Sequence, residues 1–100
     1  MCGIFGVVTS GSISEEIATS ITSIGKSLRH RGPDSHNQLE IDDKCILGST
    51  RLAIIDLQGS TQPMRCACGN HYLIFNGEIF NYQELRKGIS YPFHTTGDTE

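Results

Sequence analysis

The chain has 100 residues, of which 37% are hydrophobic, and its formal net charge is −3. This length suits one small domain and excludes a second catalytic domain in the same chain. The apolar residues occur in short runs, which excludes a membrane span, and the basic residues form no extended patch, so nucleic acid is not an expected partner. No signal-peptide pattern is present. We therefore predict a cytoplasmic protein whose four cysteines are free thiols.

The first two elements are predicted from apolar patterns. Residues 3–8 are almost continuously apolar and predict a strand covered on both faces, in which Gly3 leaves room beside the Cys2 thiol. Ser12 and Glu15 then predict a capping box at the start of an amphipathic helix that ends before Gly32. The helix is indicated by apolar residues at spacings of three and four: Ile13, Ile17, Ile21, Ile24 and Leu28.

Two paired strands are predicted next, over residues 36–41 and 45–55, with a turn at 42–44. Arg51 lies inside the second strand, where a charged side chain needs a partner or a ligand. A loop at 58–64 and a turn at 66–70 precede a short strand at 71–75.

The last third of the chain predicts a second helix. Asn81 and Glu84 have the spacing of a capping box, and Gly88 is placed to end the helix. The residues from Tyr91 onward are strand-like. The order of strand, helix, hairpins and second helix indicates the α+β class.

Cys2 directly follows the initiator methionine, which gives it a chemistry that other cysteines lack. If Met1 is removed, one residue carries both a thiol nucleophile and a free α-amine, which titrates near neutral pH and can act as a base. The alternative is that Cys2 is a small buried residue of the first strand.

Three further polar positions have both a structural and a functional interpretation. Asn76 followed by Gly77 is typical of a type I′ hairpin turn, but the pair also offers a side-chain amide and an unhindered backbone N–H as oxyanion-hole donors. Arg51 fits a structural ion pair or a ligand contact, and Asp98 fits a cap or a ligand contact.

Five blocks occur in an order that resembles the class II, N-terminal-nucleophile glutamine amidotransferases, most closely the glutaminase domain of glutamine-hydrolysing asparagine synthetases. The blocks are "MCGIFG", "RHRGPD", "LGSTRLAIIDL", "IFNGEIFNYQELR" and "TTGDTE". The resemblance implies an α+β fold of the N-terminal-nucleophile hydrolase type, an αββα sandwich. The family's domain is longer than this chain, so we expect residues 1–100 to be a partial domain with an incomplete sandwich.

The resemblance also implies roles for individual residues. Cys2 would attack the side-chain amide of L-glutamine, with its own α-amine as base, and Asn76 and Gly77 would hold the negative oxygen of the intermediate. Arg51 would bind the α-carboxylate of glutamine and Asp98 its α-ammonium group, with Glu78 assisting. The loop Arg31–Asp34 would be structural or lid-like rather than catalytic.

The same resemblance implies the partners and cofactors. The glutaminase step needs none; ATP and Mg²⁺ are expected only for a synthetase domain that this chain lacks. That domain or a complementing chain would be the protein partner, and full-length members would form a homodimer. The alternative is an inactive fragment or short paralogue that binds glutamine weakly or pairs with another chain.

We also weighed a metal site and predict none. Cys45, Cys66, Cys68 and His71 are the candidate ligands, but the Cys-x-Cys spacing is tighter than that of common structural zinc sites and no second cysteine pair exists. The remaining histidines, His30, His36 and His94, are predicted to be surface or loop residues.

Overall fold

The computed structural model describes residues 2–54, 56 and 59–100, and its main element is a three-stranded antiparallel sheet. The strands are β1 (Gly3–Val8), β2 (Ser35–Asp42) and β3 (Cys45–Arg51). β3 lies in the centre and pairs with both neighbours. The prediction of the first strand is confirmed, and so is that of the hairpin with its turn at 42–44.

The register of the sheet brings distant parts of the chain together at the end of β3. Gly3 lies opposite Thr50, and Ser35 lies opposite Arg51. Cys2 therefore reaches Leu52, which is 50 residues away in sequence. The start of β1 and the loop before β2 therefore meet at the same end of the sheet, beside the last residues of β3.

Helix α1 (Glu15–Ser27) covers one face of the sheet. The centre of the core is Phe5 from β1, Ile21 from α1 and Ile46 from β3, all buried. Gly25 lets the helix approach closely, since a Cβ atom there would lie 2.5 Å from a ring carbon of Phe5. His36 is half-buried, and its ring stacks on Phe5 with 5.8 Å between centroids. The prediction of a surface position for His36 is therefore wrong.

Two predictions about these elements need correction. β1 is covered on one face only, because α1 packs on the side of Phe5 while Ile4 and Val8 are 44% and 76% exposed. The N-cap of α1 is Ser14, whose Oγ accepts a hydrogen bond from Ile17 N–H at 3.3 Å, rather than Ser12. Ser12 Oγ instead donates to Asp43 Oδ2 at 2.7 Å, because the start of α1 lies beside the β2–β3 turn.

The second half of the chain forms a short hairpin and a short helix. β4 (Met64–Arg65) pairs with β5 (Tyr72–Leu73) across the predicted turn at 66–70. α2 (Tyr82–Lys87) follows. β5 is shorter than the predicted strand at 71–75.

The predicted boundaries of α2 are correct, but the predicted cap chemistry is not. Asn81 occupies the N-cap and Gly88 the C-cap. The Asn81 side chain makes no capping hydrogen bond, and Glu84 N–H instead donates to the Asn81 carbonyl oxygen. No strand occurs within residues 91–100, all of which the structure describes, so the strand-like prediction from Tyr91 onward is wrong.

The predicted strand at 45–55 is too long, because β3 ends at Arg51 and Leu52 to Ile54 lie outside it. Predictions that concern Met1, Ile55 and Gln58 fall on residues outside the described part of the chain. The mixed architecture with small antiparallel sheets is compatible with the predicted α+β class. Among the described residues, neither helix has the length and apolar character that a bilayer span requires.

Candidate functional site

A cavity of about 290 Å³ lies where the end of β3 meets the segment after β5. All six residues that the sequence analysis proposed for one site line it: Cys2, Arg51, Asn76, Gly77, Glu78 and Asp98. Leu52, Ile54 and Phe75 contribute apolar surface. This volume is at the lower end of the range for ligand pockets and suits a molecule of amino-acid size.

Cys2 is half-buried at the start of β1. Its Sγ atom accepts a hydrogen bond from Leu52 N–H at 3.4 Å and lies 3.8 Å from the Leu52 carbonyl oxygen. The next residue is held by Thr50, whose Oγ1 accepts from Gly3 N–H at 3.1 Å and donates to the Leu28 carbonyl at 3.1 Å. Thr50 is fully buried, and its two hydrogen bonds connect the start of β1 to the end of α1.

Gly3 serves packing rather than access to the thiol. A Cβ atom at this position would lie 2.8 Å from Thr50 Oγ1 and 3.2 Å from Leu28 Cβ. The space that glycine leaves is thus filled by Thr50 and Leu28. The expectation that Gly3 opens room beside Cys2 is wrong.

Arg51 is buried, with 9% of its surface exposed, at the last position of β3. The predicted loop Arg31–Asp34 packs against the backbone of Arg51. Asp34 N–H donates to the Arg51 carbonyl oxygen at 3.0 Å, and Pro33 forms an isolated parallel β-bridge with Arg51. Asp34 Oδ2 also accepts from Ala53 N–H at 2.8 Å. The loop thereby fixes the backbone on both sides of Leu52, which agrees with a structural role.

The Arg51 guanidinium is positioned partly by Asp56. Arg51 Nη2 donates to the Asp56 carbonyl oxygen at 2.7 Å. The Asp56 carboxylate accepts from Thr96 N–H at 2.9 Å and Gly59 N–H at 2.8 Å, and Ser60 Oγ donates to it at 3.2 Å. The bond from Thr96 N–H contributes most to lowering the Asp56 pKa, and those from Gly59 and Ser60 add to it. Asp56 therefore links the end of β3 to the segment that carries Asp98.

Asn76 and Gly77 are exposed and are not a hairpin turn. A type I′ turn needs positive φ at both central residues, and among the described residues only Asp56 and Gly69 have a positive φ. The segment is held by Gln62, whose Nε2 donates to the Phe75 carbonyl at 3.1 Å and whose Oε1 accepts from Phe75 N–H at 2.6 Å. The hairpin interpretation of Asn76–Gly77 is therefore wrong.

Asp98 supports the other end of the same segment. Its Oδ2 atom accepts a hydrogen bond from Ile79 N–H at 2.9 Å. Glu78 lies between this contact and Gly77, and it also lines the cavity. The segment from Phe75 to Ile79 is thus fastened at both ends, by Gln62 and by Asp98.

Three residues that shape the site were missed at the sequence level: Thr50, Asp56 and Gln62. The Asp56 carboxylate accepts a hydrogen bond from the N–H three residues further on, which is the spacing of an N-cap side chain and was a usable signal. Thr50 and Gln62 carried no signal, because their partners lie 47 and 13 residues away. Only tertiary contacts reveal them.

We predict that Gln62→Met lowers the free energy of unfolding by about 2 kcal/mol, because the backbone N–H and carbonyl of half-buried Phe75 would both lose their partner, the buried Gln62 side chain. Chemical denaturation measures this change. The matched control is Gln38→Met: Gln38 is exposed and bonds only to Thr22 at the surface, so its replacement should change stability by less than about 0.5 kcal/mol. Equal effects of the two substitutions would contradict the assignment.

A second group of reactive side chains lies in the β4–β5 turn, outside the cavity. Cys66, Cys68 and His71 converge there, whereas Cys45 is at the start of β3 and is not part of the group. The neighbouring Cys68 thiol lowers the pKa of Cys66 to about 6 against the opposing effect of desolvation, and His71 adds to the lowering.

Comparison with known proteins places the whole chain in one family. Residues 1–100 match the model of a glutamine amidotransferase domain. The chain is 37% identical over 102 residues to the glutamine-hydrolysing asparagine synthetase B of Escherichia coli K12, and 36% identical over 105 residues to asparagine synthetase 1 of Bacillus subtilis 168. A third similar protein is the asparagine synthetase of Sandersonia aurantiaca, at 37% identity over 101 residues.

These matches cover 100% of this chain but 18%, 16% and 19% of the three relatives. The chain thus spans less than a fifth of the length of the relatives it matches. The chain belongs to the glutamine amidotransferase domain family.

Proposed function

We propose that this chain is the glutaminase part of an asparagine-synthetase-like enzyme, in which Cys2 hydrolyses glutamine to glutamate and ammonia. The observation that supports this most is the shared cavity. A cysteine that can become N-terminal, two candidate oxyanion donors and two opposite charges line one space of about 290 Å³. Those are the groups that amide hydrolysis of a zwitterionic amino acid requires.

The proposed reaction begins with removal of Met1, which frees the α-amine of Cys2. That amine takes the thiol proton, and the sulfur bonds to the side-chain carbonyl carbon of glutamine. The tetrahedral intermediate collapses as the C–N bond breaks, and the amine's proton passes to the leaving nitrogen, so ammonia departs and a thioester remains. Water then attacks the thioester, which yields glutamate and the free thiol.

The oxyanion of both intermediates needs donors fixed before the reaction. The Asn76 side-chain amide and the Gly77 N–H are proposed for this task, because both residues line the cavity on a segment held by Gln62 and Asp98. Replacement of Gly77 by a larger residue would disturb this segment, since a Cβ atom there would lie 2.8 Å from the Phe75 ring. Donors held in this way lower the barrier without reorganising during the reaction.

Arg51 and Asp98 would read the two charges of the substrate's backbone. A guanidinium binds a carboxylate through two parallel hydrogen bonds, and a carboxylate binds an ammonium group. Glu78 adds a second negative charge to the lining of the cavity. Both charged groups of glutamine are attached to its Cα atom, so binding them together would hold that end of glutamine and orient its side-chain amide toward Cys2.

The wider function follows from the relatives. They are named as glutamine-hydrolysing asparagine synthetases, so we propose that the ammonia serves amidation of aspartate by a synthetase domain, which would use ATP and Mg²⁺. The glutaminase step itself needs no cofactor. The proposal includes the αββα sandwich, completed by chain beyond these 100 residues or by a partner, and a homodimer of the full-length enzyme.

Two measurements on the purified protein test the proposal. Intact-mass analysis should show loss of Met1, and incubation with L-glutamine should release glutamate and ammonia in equal amounts. A retained Met1 would contradict the mechanism, because the α-amine would then be part of a peptide bond. A processed chain that binds glutamine without releasing ammonia would support the alternative of a non-catalytic glutamine-binding fragment.

We predict that Arg51→Lys raises KM for glutamine by about 10- to 100-fold with a smaller change in kcat, because a lysine cannot reproduce the two-point contact with a carboxylate. Steady-state kinetics measures both parameters. The matched control is Arg29→Lys at an exposed position, which should leave KM unchanged.

A substrate analogue separates recognition from folding. Glutaminol, which lacks the α-carboxylate, should be a poor substrate of the unmodified enzyme and should be no worse for Arg51→Lys. If the substitution impairs hydrolysis of glutaminol as much as that of glutamine, Arg51 acts through structure and not through the carboxylate.

A further inference from the structure

The turn of the β4–β5 hairpin brings together three side chains of the types that bind metal ions in proteins, two cysteines and a histidine. Arg65 lies opposite Tyr72 in the paired strands, and Cys66 N–H donates to the His71 carbonyl oxygen at 3.0 Å. Cys66 and His71 therefore face each other across the hairpin. Cys68 returns toward them from the connecting turn, so the three ligand atoms lie within 4.8 Å of one another.

The turn itself is a defined structure. Gly69 N–H donates to the Cys66 carbonyl at 2.9 Å, and Gly69 has a φ of 78°, which favours glycine. Arg65 Nε donates to the Gly69 carbonyl at 3.1 Å. His71 N–H donates to Cys66 Sγ at 3.3 Å, a type of bond that stabilises a ligating thiolate and leaves its remaining lone pairs for a cation.

Two of the three distances between the ligand atoms match the edges of a tetrahedral zinc site. Zinc bonds of about 2.3 Å to sulfur and 2.0 to 2.1 Å to nitrogen imply sulfur–nitrogen edges of about 3.5 Å. His71 Nδ1 lies 3.6 Å from Cys66 Sγ and 3.5 Å from Cys68 Sγ. The two sulfurs are 2.6 Å apart and would need to separate by roughly 1 Å. Cys68 is exposed, so a change of its side-chain torsion supplies this shift.

We propose that Cys66 Sγ, Cys68 Sγ and His71 Nδ1 bind a divalent cation of the zinc class, with a fourth position open to water. Two thiolates and a neutral imidazole balance the charge of the cation, and this donor set selects zinc over hard cations such as Mg²⁺. Glu100, the nearest carboxylate in the adjoining cavity, is occupied by Thr95 and by Arg86 at 3.6 Å, so it is not counted as a ligand.

The site is separate from the proposed glutaminase chemistry. None of its three ligands lines the cavity that contains Cys2. The sequence argued against zinc because the Cys-x-Cys spacing is tight and no second cysteine pair exists. The structure shows that three of the four candidate ligands, Cys66, Cys68 and His71, nevertheless converge. The cation would fasten the tip of the hairpin whose second strand leads, through Leu73, to Asn76.

The experiment uses the purified full chain, reduced and treated with a chelator, and adds Zn²⁺ or Co²⁺ alone. We expect one equivalent of metal to remain bound after gel filtration. We also expect the Co²⁺ form to show the intense thiolate charge-transfer absorption and the visible bands of a tetrahedral site. Cys66→Ser and His71→Ala should each weaken binding by more than about 100-fold, whereas the matched variants Cys45→Ser and Cys2→Ser should bind as before.

Three outcomes would overturn the proposal. The first is the absence of stoichiometric metal on the reduced protein. The second is metal that persists in the Cys66→Ser, Cys68→Ser double variant. The third is a mass lower by two hydrogens under reducing conditions, which would show the pair to be a disulfide. Because the Co²⁺ spectrum is read on the unmodified protein, it counts for or against the site even if a variant fails to fold.

Discussion

Cys2→Ala is expected to lower glutamine hydrolysis by at least about 10⁴-fold, since removal of a catalytic nucleophile leaves only binding and oxyanion stabilisation. The measurement is ammonia release under saturating glutamine. The cavity should survive the substitution, because Thr50 and Leu28 position the start of β1 through Gly3 and not through the Cys2 side chain. Glutamine affinity, measured by calorimetry, should therefore change little.

A control for this prediction exists within the chain. The cysteines at positions 45, 66 and 68 lie outside the cavity, and Cys45→Ala should retain full activity. A chloromethyl-ketone analogue of glutamine should alkylate Cys2 alone, and excess glutamine should protect it. Activity that persists in Cys2→Ala, or labelling that falls on another cysteine, would contradict Cys2 as the nucleophile.

Asn76→Ala is the second substitution with a large expected effect. Loss of one oxyanion donor typically costs about 100- to 1,000-fold in kcat, and the loss should appear in kcat with KM nearly unchanged, because the donor acts on the developing negative charge. Steady-state kinetics with glutamine measures the two parameters separately.

Asn81→Ala is the matched control for Asn76→Ala. Asn81 is also exposed and lies five positions further along the chain, and its side chain makes no capping hydrogen bond, so its replacement should leave kcat unchanged. An increase in KM without a fall in kcat for Asn76→Ala would assign Asn76 to ground-state binding. Equal losses in both variants would assign them to local structure.

The Gln62→Met substitution also tests how the Asn76 segment is held in place. The Asn76 segment is fastened by Gln62 on one side and by Asp98 on the other, so Gln62→Met should reduce kcat as well as stability. A site whose donors shift by about 1 Å loses a large part of its rate, because pre-organisation is lost. The stability prediction and the kinetic predictions thus concern one connected loop.

The local elements were predictable to different degrees. The spacing of the apolar residues from Ile13 to Leu28 was sufficient to place α1, because residues at this spacing share one face only in an α-helix. Cap details failed at Ser12 and Asn81, since a nearby polar group, Asp43 or the backbone itself, competed for the same hydrogen bonds. Short strands such as β5 were overestimated, because pairing depends on the partner strand and not on the segment alone.

The candidate site shows the same division. The family resemblance carried by the five sequence blocks was enough to name six residues as one group: Cys2, Arg51, Asn76, Gly77, Glu78 and Asp98. The sequence could not show that Asn76–Gly77 is an open segment, because its conformation is set by Gln62 and Asp98 from other parts of the chain. The sequence named Cys66, Cys68 and His71 as candidate ligands, but it could not show that they converge without Cys45.

The sequence by itself predicted the mixed architecture of helices and strands and the position of the first helix, because these depend on local periodicity. Its resemblance to the amidotransferase family predicted six residues that the structure brings to one cavity. Only the tertiary structure shows how the site is held. Thr50 bonds to the start of β1, Asp56 accepts a hydrogen bond from Arg51, and Gln62 bonds to the backbone of Phe75. The physical reason is that a buried polar group must find a hydrogen-bond partner, and here each partner comes from a segment that only folding brings near.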